Sequence, residues 1–89
     1  MPLSQSLSSQ RKAKITWQCR RGMLELDLIL QRFLKQSLDV LTDEQLSTFE
    51  ALLEIPDPEL YASLMGYEPL NIKELADFVS FIQHQNKLG

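Results

Sequence analysis

Eighty-nine residues allow one small domain, and 44% apolar with 24% charged residues is the composition of a folded chain, not a disordered one. A net charge of −3 disfavours binding of nucleic acid or anionic membrane by the whole surface, and a single cysteine excludes an internal disulfide framework, with a reducing compartment the default. No apolar run approaches the roughly 18 residues a membrane span needs, so no membrane insertion is expected. The charge is unevenly spread. Residues 1–21 hold five of the nine lysines and arginines (Arg11, Lys12, Lys14, Arg20, Arg21) and no acid, while the rest holds four against all twelve acids, net −8. That polarity can orient a docking partner even at low net charge.

Residues 1–8 are polar and serine-rich, lack the apolar core of a signal peptide, and are expected as a flexible tail ahead of one helical domain over 9–89. Residues 9–20 read as the first helix, capped by Ser8 or Ser9. Ala13 and Trp17 stand four apart, as do Ile15 and Cys19, and Lys14, Trp17 and Arg21 make a further stripe. Arg20 and Arg21 suit the negative end of a helix dipole, and Gly22 offers a stop in left-handed geometry. The second helix, about 23–38, places Leu24, Leu26, Leu28, Ile29, Leu30 and Phe33 on more than one face, with Arg32, Lys35 and Gln36 on its wet side. A helix apolar nearly all round is buried among others.

Thr42 and Gln45 form a capping box for a third helix whose core face is Leu46, Phe49, Leu52 and Leu53. Asp57 then reads as the cap of a short fourth helix, with Pro58 at its first position and Gly66 at its end. Asn71 and Glu74 open a fifth, with Ile72, Leu75, Ala76, Val79 and Ile82 at helical spacing and Phe78 and Phe81 widening the stripe. The fold class is all-α: a compact five-helix bundle with the second helix central.

Catalytic chemistry is not expected. The one histidine, His84, is far in sequence from the one cysteine, so neither a nucleophile–base pair nor a zinc set is suggested. Glu25 and Asp27 are two apart on a helix and point to different faces. Helices over 42–66 could mimic a helix-turn-helix, yet residues 58–65 hold no base, which argues against readout in a major groove.

What remains is the seam Cys19–Asp27, with two arginines before a glycine and two carboxylates after it. One reading makes these charges mere complements to helix dipoles beside a half-buried Trp17. The other makes them a protein-docking site, since arginine presents a rigid fork of donors and tryptophan is a common anchor. Pattern alone leaves both open, with capping ahead.

With those residues in place, the chain resembles the small succinate dehydrogenase assembly factors that promote covalent flavinylation of the flavoprotein subunit. The resemblance rests on an Arg-Gly-x-x-Glu motif within Trp17-Gln18-Cys19-Arg20-Arg21-Gly22-Met23-Leu24-Glu25-Leu26-Asp27, and on Asp57-Pro58-Glu59-Leu60 after Leu52-Leu53-Glu54. It covers about residues 11–86. It implies a five-helix bundle, a monomer, that binds the apo flavoprotein of succinate dehydrogenase, and of fumarate reductase as a further candidate, and helps FAD become attached to a histidine of that partner. It further implies that Arg21, Gly22 and Glu25 lie on the docking surface, with Lys14, Trp17, Arg20 and Asp27 beside them. The reacting groups would be the partner's, and no stable FAD site is expected in this chain, which has no glycine-rich phosphate loop. Relatives described as antitoxins of a toxin–antitoxin pair supply the alternative reading. A bacterial cytoplasm is the expected location, with the mitochondrial matrix as the alternative. Lys14 replaces a frequent arginine, and Ser63 sits where a bulky aromatic is common.

Overall fold

The computed structural model of the chain describes residues 3–86, with side chains from Ser9 onward. The tail expected over residues 1–8 falls, in its side chains and its first two residues, outside the described part. Five α-helices follow one another: α1 Leu3–Gln18, α2 Leu24–Ser37, α3 Asp43–Leu52, α4 Asp57–Leu64 and α5 Lys73–Asn86, with one 3-10 turn at Leu38–Val40. No strand occurs among the described residues, and no helix there is long and apolar enough to cross a membrane. α1 starts ahead of the expected cap at Ser8 or Ser9, because no glycine or proline between Leu3 and Gln18 interrupts it.

The core is built on α2, which buries Leu26, Ile29, Leu30, Phe33 and Leu34, and on α5, which lies against α2, α3 and α4. All four phenylalanines of the chain meet there. Phe33 of α2 stands edge-on to Phe49, Phe78 and Phe81 at centroid distances of 5.3, 5.7 and 5.5 Å, while Phe49 and Phe78 stack at 5.2 Å. Each such pair contributes roughly 0.5–1.5 kcal/mol beyond the area it buries. α1 enters this core through Ile15 and Cys19, both fully buried. Arg11 ties α1 to α3, donating to Glu50 at 2.8 Å and to Ser47 at 2.6 Å.

Helix ends follow local chemistry in two places. Thr42 and Gln45 form the reciprocal capping box, at 3.1 and 2.9 Å. Gly66, with φ 78°, closes α4 in a left-handed turn in which Tyr67 N–H donates to Ala62 O and Gly66 N–H to Ser63 O.

Four expectations are corrected. Gly22 does not adopt a left-handed φ; α1 ends without it, through bonds from Cys19 N–H to Ile15 O and Arg20 N–H to Trp17 O. Asp57 is not a cap: it is the first residue of α4, Pro58 is the second, and no side chain caps the helix. Ile72, expected in the core, is exposed just before α5. α2 is not buried all round, because Leu24 and Leu28, one turn apart, face solvent at 69% and 52% exposure.

Candidate functional site

The loop between α1 and α2 is held from both sides. The backbone N–H of Arg21 donates to Asp27 Oδ1 at 3.0 Å, so a carboxylate in the first turn of α2 reaches back to fix the chain entering it. The Arg21 guanidinium points the other way, into the α3–α4 junction. It donates to Leu53 O at 2.6 Å and to Asp57 Oδ1 at 3.0 Å, and the side chain is only 13% exposed. Hydrogen bonds to charged groups in such partly buried settings contribute about 1.5–3 kcal/mol. Gln31, two turns into α2, donates to Cys19 O at 3.4 Å and covers one of the free carbonyls at the end of α1.

A second cross-link runs parallel to the first. Tyr61 of α4 donates its hydroxyl to the Glu25 carboxylate. That bond raises the Tyr61 hydroxyl above its ordinary pKa, with burial adding to it. Arg21 and Glu25 are four residues apart, as are Asp57 and Tyr61, so the seam is pinned to one face of α4 by two rungs.

What the clasp leaves outward is distinctive. Trp17 is 77% exposed, and Lys14, Arg20, Gly22 and Leu24 are exposed with it. Gly22 has nothing within 4 Å of the place a Cβ would occupy. Trp17, Gln18, Arg20, Arg21 and Leu53 line an open groove of about 400 Å³. At its edge Gln18 Oε1 and Arg21 Nε are buried without hydrogen-bond partners among the described residues.

Residues 13–86 match the Sdh5 family, described as the flavinator of succinate dehydrogenase. The chain belongs to this family. Among individual flavinator-family relatives, the FAD assembly factor SdhE of Legionella pneumophila (strain Lens) is 50% identical over 78 residues, covering 88% of this chain and 98% of that protein. The FAD assembly factor SdhE of Idiomarina loihiensis is 38% identical over 89 residues, 99% of each. A solved structure, the solution structure of a UPF0350 protein, shares 42% identity and superposes with a TM-score of 0.73 over 89% of this chain and 84% of that one.

Within this flavinator-family frame the structure sorts the seven residues singled out in the sequence. Lys14, Trp17, Arg20 and Gly22 face outward; Glu25 is exposed but bonded to Tyr61; Arg21 and Asp27 are largely occupied inside the chain. Sequence reasoning assigned Leu24 and Leu28 to the core, and the structure puts them on the open face. Their i,i+4 spacing beside Glu25 was the available signal, masked by the apolar residues around the rest of the helix. No set of His, Cys, Asp and Glu able to hold a metal ion occurs among the described residues.

Proposed function

We propose that this chain is an assembly factor that binds the apo flavoprotein subunit of succinate dehydrogenase through the α1–α2 seam and promotes covalent attachment of FAD to it. The observation that carries the reading is Gly22: a glycine at the centre of the family motif with no intramolecular reason to be glycine. Its φ is not left-handed, and a Cβ there would meet nothing within 4 Å among the described residues, so on this reading the need for a bare backbone lies in a partner. Trp17 before it and Leu24 and Leu28 after it in the chain are the exposed apolar side chains that protein interfaces use as anchors, with Arg20 as a polar contact.

The flavin belongs to the partner on this reading. A dinucleotide pyrophosphate is commonly held at a helix N-terminus free of competing negative charge. Only α1 starts without an acid; Glu25 and Asp27 stand in the first turn of α2, Asp43 and Glu44 in that of α3, Asp57 and Glu59 in that of α4, and Glu74 in that of α5. Each would repel it. The protein then acts as a monomer by holding the flavoprotein where its own histidine and flavin are aligned, which is acceleration by positioning. The antitoxin alternative has no observation in its favour.

The test is covalent flavin. A strain lacking this protein should carry a succinate dehydrogenase flavoprotein with little flavin fluorescence on a denaturing gel, restored by the wild-type chain. Full covalent flavin in the deletion strain overturns the proposal. The fumarate reductase flavoprotein is assayed on the same gel as the second candidate client.

A further inference from the structure

We infer that Arg21 is a positioning residue and not a docking contact: paired with Asp57, it holds the turn that presents Gly22 and Leu24 to the partner. The inference deepens the docking reading of the seam and rests on it. Arg21 reaches the groove only along a narrow edge, with 13% of its side chain exposed, and its charge is engaged inside the chain. Its two terminal nitrogens donate inward to Asp57 and Leu53 O, and its Nε is buried. Arg20, next to it, is 65% exposed and holds only a longer ion pair, 3.7 Å to Asp27 Oδ1, which makes it the more accessible of the two arginines.

Gly22, by contrast, has no side chain to anchor it, and glycine is the residue that samples the most backbone states when unrestrained. Its position is inherited from Arg21, which is fixed at its backbone by Asp27 and at its side chain by the α3–α4 junction. Two stretches far apart in sequence, Arg21-Gly22 with Glu25 and Asp57-Pro58 with Tyr61, thereby meet as one device. α4 is the template on which the docking loop is set. Loosening the clasp makes the partner order the loop on binding, which lowers affinity without removing any contact atom.

The experiment compares Arg21→Gln, Asp57→Asn and the double variant, each in the full chain. Two measurements are made: affinity for the purified apo flavoprotein subunit, and amide hydrogen exchange at residues 20–24. Asp57→Asn touches nothing on the open face, so it separates the two roles. Asp57→Asn is expected to weaken binding by about tenfold and Arg21→Gln, which also loses the bond to Leu53 O, by at least as much, with the double variant no worse than Arg21→Gln because the Arg21–Asp57 interaction is lost only once. Exchange at residues 20–24 should rise in all three variants and in the same order as the binding losses, while exchange through α2 and α5 holds. Binding lost in Arg21→Gln and kept in Asp57→Asn makes Arg21 a direct contact and overturns the inference. Should the wild-type chain not bind the flavoprotein, the docking reading fails by itself, and exchange then decides the clasp alone: unchanged exchange in Asp57→Asn sinks it. If a variant proves unfolded by circular dichroism, Arg21→Lys replaces Arg21→Gln. It keeps the charge for Asp57 but lacks the fork that also reaches Leu53 O, and exchange between the two extremes is the expected result, wild-type exchange the contrary one.

Discussion

Tyr61 on α4 donates a hydrogen bond from its hydroxyl to the carboxylate of Glu25 on α2, thirty-six residues earlier, although both side chains are accessible to water. The bond orients the one acidic residue of the Arg-Gly-x-x-Glu motif, which is exposed. Because Glu25 holds the proton on Tyr61, Glu25→Ala should let Tyr61 ionise at lower pH than in the wild type. Ultraviolet titration of the wild type and of the variant, compared as a difference, reads this directly. The same substitution should weaken partner binding by more than the roughly 1 kcal/mol that a carboxylate at a helix N-terminus is worth. An unchanged pull-down returns Glu25 to a dipole-complementing role.

Gly22 separates folding from docking more cleanly than any other position. With no left-handed φ and open space around it, Gly22→Ala should be neutral or raise stability by about 0.4–1 kcal/mol, through the smaller freedom of the unfolded chain. Gly22→Arg should keep its helical circular dichroism and its melting temperature, yet leave the flavoprotein without covalent flavin. A large drop in melting temperature for Gly22→Arg would show that the loop needs glycine for itself, and the docking reading would lose its main support.

The helices were legible in the sequence because their signals are local: the Thr42–Gln45 box, the Gly66 stop and the 3.6-residue spacing of Leu46, Phe49 and Leu52 each act within a turn or two. The roles of Asp57 and Arg21 were not, because each is decided by the other across thirty-six residues. Read locally, an aspartate before a proline is a cap; in the fold, a guanidinium takes the carboxylate first. Gly22 misled for the same reason. Its place after a basic helix end suggested a left-handed stop, whereas α1 ends through its own backbone bonds. Leu24 and Leu28 show the limit of periodicity, which counts apolar residues on a helix but cannot say which face the rest of the chain covers.

The two faces of α2 should respond oppositely to truncation. Leu30 is fully buried, and Leu30→Ala should cost about 2–5 kcal/mol, most of the margin of so small a domain. Leu24→Ala and Leu28→Ala remove exposed side chains and should stay within about 0.5 kcal/mol of wild type. Urea denaturation checks both. In partner binding the order reverses: the Leu24→Ala, Leu28→Ala double variant should bind the flavoprotein weakly while fully folded. If it binds normally, the exposed leucines are incidental.

Cys19 lies beneath this seam and should set a pH limit on it. Burial pushes its thiol from an ordinary value near 9 up to about 12, with the nearby Arg21 opposing the shift and Asp27 adding to it. The folded protein therefore keeps a proton that the unfolded chain releases above pH 9. Below that value both states are protonated and the group has no effect on stability. Between about 9 and 12 the unfolded state binds fewer protons, so stability falls as pH rises, by up to about 1.4 kcal/mol per pH unit from this group. Lysines and tyrosines titrate in the same range, so the readout is a difference. The urea midpoint of the wild type should fall more steeply between pH 9 and 11 than that of Cys19→Ala, and the two slopes should coincide below pH 8. Alkylation of Cys19 by iodoacetamide at pH 8 should likewise proceed only as fast as the protein opens, and urea should accelerate it sharply. Parallel midpoint slopes in the two proteins, with rapid alkylation of the native wild type, would mean that water reaches the thiol and that the end of α1 is looser than its contacts with the core imply.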